Sequence, residues 1–269
     1  MRFQFVVWSG LAVLLLVCER WLTSCLGAGP CLGAAAGPHE WLSLAAAAST
    51  FLAAASAVAC FGRTLWLAVD SSWRARGLEQ AAIPQELQEV ASRLGVRRLR
   101  LLACATPVAF CAGALRPAVY LSRVAYEQLG PVELEAVLLH ELDHALALEP
   151  LRRAAWRAAA EVGFFLPIVH WIRVRRLERS ELRADRRALG RLGAGPVASA
   201  LWALDASPRP GVTAAFDTAI ELRAAQLLGD PIPLRLPTPS MVFASAMGAV
   251  FAVMVVACAV EALAKLAGH

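Results

Sequence analysis

The sequence predicts a mainly α integral membrane protein, with about three transmembrane helices and a cytoplasmic α+β domain. Three observations predict it. The 269-residue chain is 58% hydrophobic with a mean hydropathy of +0.56, too apolar for an ordinary soluble domain of this length. Apolar runs lie near both ends, and the last of them is uninterrupted over a bilayer-spanning length. Between them, residues 63–239 carry every arginine except Arg2 and Arg20, in segments of helical and strand-like periodicity.

Phe3–Cys18 is the first candidate span. Arg2 ahead of it and "LTSC" behind it would also suit a signal peptide, but Glu19 and Arg20 interrupt the run before any cleavage point and favour an uncleaved helix. Loop 19–40 holds one arginine and two glutamates. Trp41–Phe61 is a second run, rich in alanine and free of charge. Arg63, Arg74, Arg76, Arg93, Arg97, Arg98 and Arg100 follow it. The positive-inside rule then puts the N-terminus in the cytoplasm, loop 19–40 outside and residues 63–239 in the cytoplasm. The expected division is 1–62 for two spans with a short outer loop, 63–239 for the cytoplasmic domain, and 240–269 for a last span and tail. The protein is expected to be a multi-pass protein of the cell membrane.

Within the central part, Ile83–Leu94 reads as a helix with Pro84 near its start and Gly95 as its C-cap. "VRRLRLLAC" (96–104), "TPVAFCAG" (106–113) and "RPAVYLS" (116–122) read as strands of a small antiparallel sheet, separated by Gly113 and Pro117. Pro131 starts a helix that should run to Glu149, where Pro150 stops it. The apolar stretch Ala154–Val174 contains Arg157 and Glu161 and is broken by Pro167, so it is expected as two helices, buried against the domain or dipping partway into the bilayer. Residues 177–192 form a further helix, 206–211 a loop, 214–228 a short helix, and "DPIPLRLPTPS" (230–240) a linker. Met241–Val260 is the last span.

The net charge of +5 is carried almost wholly by arginine, since Lys265 is the only lysine. No basic patch interleaved with aromatics is present, which leaves nucleic-acid binding without support; the bilayer and a protein or peptide substrate are the expected partners. None of the seven cysteines forms a C-x-x-C pair, so a cysteine zinc site is not expected. Cys25 and Cys31 share the outer loop and could be bridged there.

The chemistry concentrates in "AVLLHELDHALAL" (136–148). On a helix His140 and His144 lie one turn apart on one face and can hold a single ion, while Glu141 sits one step around, placed to take a proton from a water on that ion. The bland alternative is two core histidines beside a helix glutamate. A catalytic zinc usually has three protein ligands and one open position. His39 and His269 fall on the wrong side of the expected topology, His170 reads as structural, and Cys104 and Cys111 read as packed. The best third ligand is Glu181 in "ELRAD", with Asp185 on the same helix face placed to accept the second N–H of a bound histidine. The competing reading for Glu181 and Asp185 is a solvated face paired with Arg183, Arg186 and Arg187.

"HELDH" followed by "FFLPIVHWIRVRRLERSELRAD" resembles peptidase family M56, the membrane zinc metallopeptidases of the BlaR/MecR type, related to the HtpX-like M48 peptidases. "TPVAFCAGALRPAVYLS" resembles the stretch those families carry ahead of the zinc helix, and the resemblance covers about Val96–Leu192. It implies a gluzincin-type zinc peptidase domain with one Zn²⁺ per chain. It also implies His140, His144 and Glu181 as zinc ligands, Glu141 as catalytic base and Asp185 as supporting residue, with strands 106–122 flanking the cleft. As substrates it implies a BlaI-like transcriptional repressor or, as in HtpX-like quality control, damaged membrane proteins. The chain departs from the family in carrying Leu166 where an asparagine is usual before the proline. BlaR-type sensors also carry a penicillin-binding domain after the last span, where this chain reaches His269, so a β-lactam receptor of that build is not expected.

Two further readings compete. An intramembrane protease of the site-2 type would need the H-E-x-x-H helix inside the bilayer and an aspartate from another span; the acids Glu133, Glu135, Asp143 and Glu149 around the motif oppose that. A membrane scaffold or sensor with a structural zinc site would have no use for Glu141.

Overall fold

The computed structural model describes residues 38–205, 214–233 and 235–267. The first expected span, the Cys25–Cys31 pair, the 206–211 loop and His269 lie outside the described residues. The chain divides into two compact units, one of Met1–Ala55 with Ala246–His269 and the other of Ser56–Ser245.

Two described helices are long and apolar enough to cross a bilayer, over Ala45–Arg76 and Pro239–Val260. The first belongs to α1 (Pro38–Arg76), which continues well past the expected end at Phe61. Only 6% of either window is buried, and Phe51, Val58, Phe243 and Met254 are among the large side chains left exposed. Apolar surface on that scale needs an apolar surrounding.

In the unit Ser56–Ser245, a four-stranded sheet backs a set of helices. β1 (Gln80–Ala81), β2 (Leu99–Leu102), β3 (Ala109–Ala112) and β4 (Ala118–Ser122) lie in the order β1-β2-β4-β3. The sheet is mixed, not antiparallel as expected: β2 and β4 run parallel, while β3 pairs antiparallel with β4. The tight turn between β3 and β4 keeps that pair antiparallel, as expected, and the parallel pair comes from where β4 then inserts. Gly113, at φ +104, turns the chain back sharply, and a Cβ there would stand 2.8 Å from the Arg116 carbonyl oxygen. The returning strand β4 inserts between β2 and β3 and is buried throughout, leaving β3 as the edge strand.

α2 (Gln85–Leu94) buries Leu87, Ala91 and Leu94 on one face and ends at Gly95 in the left-handed conformation, as its sequence expects. Ser122 closes β4 and opens α3 (Arg123–Gln128): its Oγ accepts from the Ala125 N–H at 3.0 Å and from the Val108 N–H at 2.9 Å. α4 (Pro131–Leu146) starts with the Gly130 N–H donating to Glu133 at 2.6 Å. It is buried on both sides, by Leu134 and Leu138 and by Val137 and Leu142, and forms the centre of the core.

α4 ends earlier than expected. Leu148 takes a left-handed conformation (φ 52), and Glu149 with Pro150 begins α5 (Glu149–Val162); the proline starts a helix instead of stopping one. α5 ends at Gly163. The next helix, α6 (Pro167–Leu192), runs unbroken through the boundary expected near residue 177. Ala154–Val174 is thus split between two helices, as expected, with the break at residues 163–166. α7 (Ala194–Asp205) and α8 (Ala214–Leu228) follow, and α9 (Pro239–Ala267) carries the last candidate span.

Candidate metal centre

Among the described residues, α4 and α6 make the most extensive helix–helix contact, with Ala184 and Ala188 on α6 fully buried. Small residues let the two backbones approach closely. α4 brings His140 and His144 to the contact, and α6 brings Glu181 and Asp185, each pair one turn apart.

The four side chains meet. The Nε2 atoms of His140 and His144 are 3.1 Å apart. Glu181 lies 3.4 Å from His140 Nε2 through Oε2 and 3.6 Å from His144 Nε2 through Oε1. All three residues have a donor atom within 4.8 Å of the others. Four-coordinate ions with bonds near 2.1 Å hold their donors about 3.4 Å apart, so the triangle is of the right size for one metal ion. Asp185 is fully buried and accepts from His140 Nδ1 at 2.8 Å, which turns Nε2 toward the triangle. The solvated-face reading of Glu181 and Asp185 is not what the geometry shows.

Glu141 lies outside the triangle. It is 8% exposed, no described residue hydrogen-bonds its carboxylate, and it lines the same cavity of about 360 Å³ as His140, His144 and Glu181. The edge strand β3 borders that cavity through Ala109, Phe110 and Cys111.

Burial works against charge on His140, but hydrogen bonds to Asp185 and Glu181 and the charge of Glu141 outweigh it and raise the imidazole to about 9. Burial lowers His144 to about 3. Glu141 is raised by burial, with Glu181 adding to the effect and the charge on His140 opposing it. Burial alone would raise Glu181 and Asp185 too. Instead the His140 hydrogen bond holds Glu181 well below the usual carboxylate range, and hydrogen bonds from His140 and Arg223 lower Asp185.

Two cationic residues that the sequence reading did not single out complete the site. Arg153 on α5 donates to Glu181 Oε1 at 2.5 Å. Arg223 on α8 donates to both oxygens of Asp185, at 2.6 and 2.8 Å, and stands 3.8 Å from Glu181. Arg223 was legible as the lone cation in "AFDTAIELRAAQLL". Arg183 and Arg187 pair with Asp143, and Arg186 donates to the Leu182 carbonyl; none of the three lines the cavity.

The other candidate ligands are elsewhere. His39 lies in the first turn of α1. His170 is exposed on α6 and not packed in the core as expected. The Cys104 thiol points to the Thr106 carbonyl at 3.5 Å. Cys111 does line the cavity, its thiol pushed up to about 12 by burial and the charge of Glu141, but its Sγ is not among the donor atoms that converge on the triangle. Comparison of the chain with protein-family models gives no match, and comparison with curated proteins gives no significant one.

Proposed function

We propose that this protein is a membrane-bound zinc endopeptidase that cleaves cytosolic or membrane-proximal proteins. The observation that carries the reading is the His140–His144–Glu181 triangle with Glu141 on the wall of the same cavity. Two imidazoles, a carboxylate and an open fourth side are the donor set of a catalytic zinc rather than a closed structural site. Zinc held there would supply Lewis acidity toward a water and the scissile carbonyl.

The remaining work falls to the chain. Glu141 takes the proton of the attacking water and returns it to the leaving amine, a role suited to a buried carboxyl whose pKa is raised. Asp185, clamped by Arg223, fixes the ring and tautomer of His140. The edge of β3 offers backbone hydrogen bonds to an extended substrate segment along the cavity. The family resemblance adds a repressor of the BlaI kind as the substrate of a signalling pathway, with damaged membrane proteins as the alternative class.

The test compares cells expressing wild type with cells expressing Glu141→Gln, profiling new protein N-termini and measuring zinc per chain. Zinc is retained in both, since Glu141 is not a ligand, while cleavage products appear only with wild type; the variant's rate falls by a factor of at least about 10²–10⁴. Equal zinc with the same N-termini in both would favour a structural metal site. Zinc in neither would sink the proposal.

A further inference from the structure

A second cavity, about 720 Å³, opens between the C-terminal half of α1, α5 and the early turns of α6. Six arginines line it (Arg63, Arg74, Arg153, Arg157, Arg173 and Arg176) against two carboxylates, Asp70 and Glu149. Four of the six have acidic neighbours: Arg63 and Arg157 share Glu161, Arg74 pairs with Asp70, and Arg153 with Glu149 and Glu181. Arg173 and Arg176 have no carboxylate partner among the described residues, and Arg176 lies 5.3 Å from the Trp156 ring centre. Crowding like charges costs energy that a bound anion relieves. The planar fork of arginine matches phosphate oxygens two at a time.

The cavity's mouth tells what the phosphate is attached to. On α1, Trp66 forms part of the wall, and Trp66, Val69 and Trp73, spaced for one helix face, are all more than half exposed. The same helix passes as a membrane span over Ala45–Arg76. Exposed tryptophans beside a cluster of arginines are what the headgroup level of a bilayer selects.

We propose that this cavity binds the phosphate of an anionic phospholipid headgroup, held by Arg173 and Arg176, with the acyl chains lying along the Trp66–Trp73 face of α1. The proposal rests on the membrane-bound reading and is independent of whether the metal centre is catalytic. The two cavities nevertheless share a wall: Cys111, Glu149, Pro150, Arg153 and Leu177 line both.

The test uses the full chain, delipidated in a neutral detergent. The probes are phosphatidylglycerol, phosphatidylcholine with the same acyl chains, and inorganic phosphate, with bound lipid read by native mass spectrometry. Three proteins are compared: wild type, Arg173→Gln with Arg176→Gln, and Arg97→Gln with Arg98→Gln, which removes the same charge from exposed positions outside the cavity. Wild type and the Arg97/Arg98 variant bind phosphatidylglycerol alike and in preference to phosphatidylcholine. The Arg173/Arg176 variant binds it about 30-fold more weakly, the loss expected for two basic side chains at a membrane surface. Both residues are exposed, so the variant keeps its fold. Equal affinity in all three proteins, or equal binding of the two lipids, overturns the proposal. Displacement of phosphatidylglycerol by an equal concentration of inorganic phosphate overturns it as well, because the ligand is then free phosphate.

Discussion

His140 is the residue on which the site turns. With its imidazole raised to about 9 it carries a proton at neutral pH, whereas His144, lowered to about 3, is already neutral and Glu181 is already ionised. An ion taking His140 Nε2 must therefore displace a proton, and only one. Calorimetric zinc titrations at pH 7, in buffers of different ionisation enthalpy, should return about one proton released per ion. Release of none would contradict the arrangement. The sign for the metal-free protein follows from the same group. Its folded pKa lies above its unfolded value of about 6.5, so its contribution to stability is complete below that pH and is lost as pH rises through about 9. Asp185→Asn removes the carboxylate whose hydrogen bond raises His140 and leaves Arg223 without its bidentate partner. Zinc affinity in that variant should fall 10–100-fold, about the loss usual for a supporting carboxylate, as measured by competition with a chelator of known affinity.

At the scale of elements, the site depends on how β3 and α4 are anchored. Ser122 holds two ends at once, capping α3 and receiving the Val108 N–H at the approach to β3. Its replacement by alanine leaves the part-buried Val108 N–H without a partner and removes a helix cap. That should cost about 1–3 kcal/mol in denaturant unfolding and loosen the edge strand before the metal triangle, since α4 keeps its own packing. What could be read from the chain at this level follows from the range of each signal. The His140–His144 and Glu181–Asp185 pairs were legible because i,i+4 spacing alone puts them on a common face. The parallel pairing of β2 with β4 was not: strand order depends on long-range insertion, and consecutive strands invite an antiparallel reading. The continuity of α6 was missed because the fall in hydropathy near residue 177 looks like an end. Between Pro167 and Leu189, however, no glycine or further proline breaks the helix. Proline restricts the residue before it, and on that ground Pro150 reads as a stop in the sequence. Here that residue pair starts α5, the turn being made at Leu148.

For the whole molecule, the side of the membrane that the His140–His144–Glu181 site faces follows from the arginine distribution under the proposed topology. Loop 19–40 has a single arginine, while those that follow the second apolar run, from Arg63 onward, fall in the stretch 63–239. Retention of arginine-rich segments on the cytoplasmic side is the ground on which we propose that this stretch, and with it His140, His144 and Glu181, faces the cytoplasm. A single exposed reporter tests it. Arg97 is exposed and lies on neither cavity, so Arg97→Cys in a chain whose seven native cysteines are changed to serine or alanine gives one exposed thiol away from the His140–His144–Glu181 triangle. A membrane-impermeant maleimide should label that variant in inverted vesicles and leave it unlabelled in intact cells. A chain keeping only Cys25 and Cys31 should show the reverse once any bridge between them is reduced. Labelling of the Arg97→Cys variant from outside intact cells would put the metal centre on the outer face. Its substrates would then be extracytoplasmic proteins, and a cytosolic repressor could not reach it.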